Sequence, residues 1–145
     1  MQTLKEVQNY LNSIDCINCG GCGISAYSMY LWLKNNSLMD NSFKFVFCYK
    51  NFYEEDYYIN NSDVLKTHSG NAIAPYHIAI YYNGEYLDSE GTVEISNFKW
   101  IQHIEEEWFI INCLNNVSTW NSMFNRNVIG NIEKKLNISL NHIEK

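Results

Sequence analysis

The sequence predicts an α+β fold in which a central helix packs on an antiparallel sheet. Three observations predict it. Residues 22–35 follow a glycine pair and are apolar nearly all round, the pattern of a helix buried at the centre of a domain. Phe43, Phe45, Phe47 and Tyr49 alternate with Lys44, Val46 and Cys48, which is the period of a strand. Two further strand-like runs, 76–82 and 85–90, are separated by Asn83-Gly84, the strongest short-range signal for an antiparallel hairpin. A chain of 145 residues, 46% hydrophobic and 15% aromatic, can build one core, so residues 1–145 are expected to form a single domain.

Taken in order, Leu4, Val7, Leu11 and Ile14 recur at steps of three and four and predict an amphipathic helix over residues 3–14. Its polar face holds Lys5, Glu6, Gln8 and Asn12. Residues 15–21 form a loop that ends at Gly20-Gly21. The central helix follows, from Cys22 to Lys34-Asn35-Asn36. Residues 43–49 are a strand with an aromatic face. Residues 51–74 are polar and read as mostly loop, with a short helix around 63–67. Pro75 precedes the hairpin, where its missing N–H does little harm.

Pairing Tyr82 with Glu85 and counting outward sets Ala79 against Asp88 and His77 against Glu90. Alternation then puts His77, Asp88 and Glu90 on one face and Ile78, Ile80 and Leu87 on the other. Thr92, Val93 and Ile95 extend the sheet. Trp100, Ile101, Ile104, Trp108, Ile111 and Leu114 fall at near-helical spacing, so a helix is expected over 100–114, with a strand over 108–114 as the other reading. Residues 115–127 are a loop anchored by Trp120 and Phe124. Ile129, Ile132 and Leu136 mark a short helix with Glu133-Lys134-Lys135 outside. Ile138, Leu140 and Ile143 close the chain as a short strand or tail.

The net charge of −6, with no Lys/Arg cluster, argues against nucleic acid as a partner. There is no run of 18 apolar residues, so no membrane span is expected. The N-terminus lacks the apolar core of a secretory signal. Five cysteines, three of them between positions 16 and 22, make a poor disulfide framework and fit a reducing, cytoplasmic setting.

Chemistry concentrates at Cys22. A thiol at the start of a helix meets unpaired backbone N–H groups and the positive end of the dipole, which favour thiolate over thiol. The flanking glycines let a substrate approach the backbone. A nucleophilic thiol also needs a base and a group that orients the base. His77 supplies the base and Asp88 the orienting acid, with Glu90 as the rival acid if the register differs. The backbone N–H of Cys22 is a natural oxyanion donor, and Asn18 is the nearest side-chain amide for a second.

These residues resemble the papain-like cysteine peptidase superfamily: Gly20-Gly21-Cys22-Gly23-Ile24-Ser25-Ala26 opening a helix, then His77-Ile78-Ala79-Ile80, Leu87-Asp88-Ser89 and Gly91 on the hairpin. The order Cys, His, Asp is similar to that of transglutaminase-like and bacteriocin-processing-like members. The resemblance covers residues 15–91. It implies a core of a helix on an antiparallel sheet, with Cys22 as nucleophile, His77 as base and Asp88 as orienting acid. It further implies attack of a thiolate on an acyl carbon of a protein or peptide through a thioester, with no cofactor. The chain departs from papain itself in having no glutamine shortly before Cys22 and an aspartate in place of the usual asparagine.

Other readings compete. Cys16, Cys19 and Cys22, three residues apart, have the spacing of thiolate metal ligands, with Cys48, Cys113 or a distant histidine as the fourth. A redox Cys-x-x-Cys lacks the following βαβ unit. The same fold can also serve as a catalytically silent protein-binding module. His68 reads as a solvated loop residue, His103 as a surface residue of a helix and His142 as part of the tail.

Overall fold

The computed structural model describes residues 2–15, 17, 22–50, 76–112 and 126–140. Among them the fold is α+β, with helices α1 (Leu4–Asn12), α2 (Cys22–Asn35), α3 (Glu106–Asn112) and α4 (Arg126–Leu136). The strands are β1 (Lys44–Tyr49), β2 (His77–Tyr82), β3 (Glu85–Asp88), β4 (Gly91–Thr92) and β5 (Trp100–Ile104), and they lie in one antiparallel sheet of order β4-β3-β2-β1-β5. The expected loop over 51–74 and the anchoring Trp120 and Phe124 fall outside the described residues, as do Ile143, His68 and His142.

Helix α1 starts at a capping box: Thr3 accepts the N–H of Glu6, and the Glu6 carboxylate accepts that of Thr3. Helix α2 is buried on most sides, as its composition predicts. It ends where Ser37 takes a positive φ of 58°, which lets Leu38 N–H reach back to the Leu33 carbonyl at 2.9 Å. The first hairpin closes through Asn83 and Gly84 at φ 52° and 84°, the turn that Asn-Gly favours, and Tyr82 pairs with Glu85 as expected. Asp40 braces this turn by accepting the Asn83 N–H at 2.9 Å.

One face of the sheet packs on α2 through Phe45, Phe47, Tyr49, Ile78, Ile80 and Leu87. The other buries Val46, Cys48 and Ala79 under Tyr81, Tyr86, Phe98 and Ile101. Strand β1 is thus covered on both faces.

Residues 100–114 depart from the helix expected there. Residues 100–104 are strand β5, paired to β1 from Tyr49↔Trp100 to Phe45↔Ile104, and helix begins only at Glu106. The division also reverses the alternative of a strand over 108–114, within the described part. His103 therefore sits on a strand; it is exposed, and its Nε2 lies 2.8 Å from the Tyr86 hydroxyl. Phe109 of α3 is fully buried and stacks on Phe45, centroids 3.8 Å apart. Burying such a side chain contributes about 1.5–3 kcal/mol, and a well-placed ring pair about 0.5–1.5 kcal/mol more. At the other end, Ile138 and Leu140 are buried without regular structure, and Glu133 turns back to accept the Leu140 N–H at 2.8 Å. Among the described residues no helix is long and apolar enough to cross a membrane.

Candidate active site

The site gathers at the start of α2 and the open end of the β2–β3 hairpin. Cys22 is the first residue of α2 and is half-buried; Cys22 and Cys48 are free thiols. His77 is the first residue of β2 and Asp88 the last of β3. The hairpin register brings them together across 11 positions of sequence: His77 Nε2–H donates to Asp88 Oδ2 at 2.8 Å, with both side chains nearly enclosed. The ring therefore has Nδ1 left for Cys22.

Glu90 does not take the place that counting along the strand gives it. The chain turns at Ser89-Glu90, Asp88 pairs with Gly91, and β4 begins there. Glu90 instead donates its backbone N–H to Asp88 Oδ1 at 2.8 Å. The acid on His77 is Asp88. Asn18, the expected second oxyanion donor, lies outside the described residues, as do Cys16, Cys19 and Cys113. Among the described residues no three His, Cys, Asp or Glu side chains cluster to hold a metal ion.

Burial alone would push the His77 ring towards neutrality. The hydrogen bond to Asp88 opposes that, joined by the nearby Cys22 and by the charge of Asp88, and the pKa is pushed up to about 9. The raised value favours the imidazolium form at neutral pH, with the Asp88 carboxylate as its hydrogen-bond partner. Cys48, directly opposite His77 on β1, behaves otherwise: burial, then the charges of Cys22 and Asp88, push its thiol up to about 12. A thiol raised that far is protonated at neutral pH, which disfavours Cys48 as a nucleophile.

Two further residues stand beside the pair. Phe98, just after a short 3-10 turn at Ile95–Asn97, lies parallel to the His77 ring, 5° between planes and 6.2 Å between centroids. Gln8 of α1, assigned above to the solvent face, is only 5% exposed, and its Nε2 donates to the Asp88 carbonyl at 2.8 Å. Its position was a signal: Gln8 stands four residues after Leu4 and three before Leu11, inside the apolar stripe. A cavity of about 400 Å³ opens beside the pair, lined by His77, Asp88, Tyr76, Phe98, Glu90 and Glu94 among others. The chain matches no protein-family model, no curated protein and no solved structure.

Proposed function

We propose that this chain is a cysteine-dependent hydrolase or acyl transferase with a papain-like core, acting on a peptide, isopeptide or amide bond of a protein or peptide. One observation carries the reading: His77 is held by Asp88 at 2.8 Å, and Cys22 at the start of α2 lies close enough to the ring to help raise its pKa. A thiol, its base and the base's orienting acid are the parts that nucleophilic acyl chemistry requires. Their placement supports the papain-like core as well: the thiol opens a central helix packed on an antiparallel sheet, and the order along the chain is Cys, His, Asp.

In this reaction the Cys22 thiolate attacks the acyl carbon, and the carbonyl π pair moves onto oxygen. The backbone N–H of Cys22 at the helix start meets that oxyanion. As the intermediate collapses, the C–N bond breaks and the His77 imidazolium gives its Nδ1 proton to the leaving amine. The acyl group remains on sulfur as a thioester. Neutral His77 then takes a proton from water, whose oxygen attacks the thioester carbon; the thiolate leaves and the acid product departs. An amine in place of water gives transamidation with the same residues, and a primary amide as substrate gives deamidation. Asp88 keeps the ring oriented and stabilises its charged form throughout. Free thiols at Cys22 and Cys48 fit a reducing, cytoplasmic compartment.

The test is intact-mass analysis after incubation with acyl-type electrophilic probes. Wild type should gain one covalent adduct, Cys22→Ala none, and His77→Ala should label at least about 10²-fold more slowly. Labelling that survives in Cys22→Ala, or that spreads evenly over the five cysteines, removes the reading in favour of a silent binding module.

A further inference from the structure

We propose that Gln8 is a positioning residue for the His77–Asp88 pair: its buried amide clamps the main chain of the turn that carries Asp88 and so holds the carboxylate at the ring. The inference rests on the reading of the site given above and assigns the first helix a part in it.

The Gln8 amide nitrogen donates to the Asp88 carbonyl at 2.8 Å and reaches the Gly91 carbonyl at 3.5 Å. Asp88 and Gly91 are the two residues that close the Ser89-Glu90 turn. One side chain thus spans both ends of the turn. The β3–β4 ladder is short, with pairs Leu87↔Thr92 and Asp88↔Gly91, and a hairpin of that length does not hold itself in water. One helical turn further along α1, Asn12 accepts the Ser89 hydroxyl at 3.4 Å, so the helix contacts the turn twice.

The turn in turn aims the carboxylate. Oδ1 of Asp88 accepts the Glu90 N–H at 2.8 Å, and Oδ2 faces His77. Shifting the turn shifts both oxygens. Packing alone does not call for an amide at position 8, since Leu4, Val7 and Leu11 line the same stripe and an apolar side chain would fill it. A pair of backbone carbonyls facing the helix does call for one. Among the described residues, the charged and titratable groups around His77 are Cys22 from α2, Cys48 from β1 and Asp88 from β3, with Tyr76, Glu90 and Glu94 sharing its cavity. Gln8 has no charge, so its influence on the ring runs through the position of Asp88.

The experiment uses the full chain as wild type, Gln8→Met and Asn12→Ala. Met keeps the length of the side chain and removes both donors. His77 is titrated by imidazole NMR, and the rate of Cys22 alkylation by iodoacetamide is followed against pH by mass spectrometry. Gln8→Met should retain the wild-type circular dichroism, lower the His77 midpoint by about one unit, and slow Cys22 alkylation at neutral pH about tenfold to a hundredfold. Asn12→Ala, which spares both carbonyl contacts, should move either readout far less. A folded Gln8→Met with the wild-type midpoint and alkylation profile overturns the proposal.

If Gln8→Met does not fold, the wild type decides. Its Gln8 amide protons should exchange slowly, couple through the hydrogen bond to the Asp88 carbonyl carbon, and shift with the His77 midpoint. An amide that exchanges freely and ignores that titration overturns the proposal equally. If wild-type Cys22 alkylates no faster than a simple thiol and ignores His77→Ala, the functional reading fails instead, while coupling between Gln8 and His77 would still support the clamp.

Discussion

Asp88 is engaged through all three of its oxygens: Oδ2 by His77, Oδ1 by the Glu90 N–H and the main-chain carbonyl by Gln8. An asparagine there keeps an acceptor for the turn but loses the charge that holds a proton on the ring. Asp88→Asn should therefore fold, while His77 falls from about 9 by roughly 1–3 units. Cys22 alkylation at neutral pH should slow by about 10²-fold or more, because the ring loses both its charge partner and its fixed orientation. Imidazole NMR and alkylation kinetics check the two effects separately, and an unchanged midpoint would show that Asp88 does not set the state of His77. Glu90→Gln, by contrast, should leave both readouts near wild type, since only the Glu90 backbone bonds Asp88.

At the scale of elements, the parts fixed by local grammar were the legible ones. A glycine pair before an apolar run placed the start of α2, and Asn-Gly placed the hairpin, which together brought Cys22, His77 and Asp88 into one site. The errors arose where two tertiary faces overlapped. Trp100 and Ile104 face the α2 side of the sheet and Ile101 the other, so apolar residues at i, i+1 and i+4 imitate a helical stripe. Nothing at Ser89-Glu90 itself announces the turn after Asp88; its sign is Gly91, whose φ of 127° suits only glycine. Carrying one helical phase through 100–114 also turned the wrong side of α3 inward. That reading buries Ile111, whereas Phe109 is the fully buried residue and Ile111 is 55% exposed. Phe109→Ala should cost about 3–5 kcal/mol and Ile111→Ala less than about 0.5 kcal/mol. Denaturant unfolding of the two variants decides the phase, and the reverse order of losses would restore the sequence-based one.

For the whole molecule, the site lies between layers of the fold, so its protonation is tied to global stability. The ring of His77 binds its proton more tightly folded than unfolded, about 9 against 6.5. The native state therefore holds the extra proton between those values. The stability it confers is complete below pH 6.5 and drains away as pH rises through about 9. Other displaced groups act outside that window. His103 is lowered from 6.5 by burial and then by Lys44, so it takes stability away as pH falls below 6.5. Cys48, raised from 9.0 to about 12 by burial, takes stability away only above pH 9, where the tyrosines raised by burial also begin to act. Among the described groups with a displaced pKa, His77 alone titrates between 6.5 and 9, and stability should peak near pH 6.5. Denaturation midpoints measured at half-unit steps from pH 6.5 to 9 should fall steadily in wild type, at constant m-value. In His77→Gln the same series should be nearly flat, because no other displaced group among the described residues changes its charge there. Cys48→Ala should keep the fall between 6.5 and 9 and lose part of the further fall above it. Equal slopes in wild type and His77→Gln would mean that the proton on His77 is not held by the fold. The thiol–imidazole–carboxylate arrangement would then lack the electrostatic coupling on which its chemistry depends.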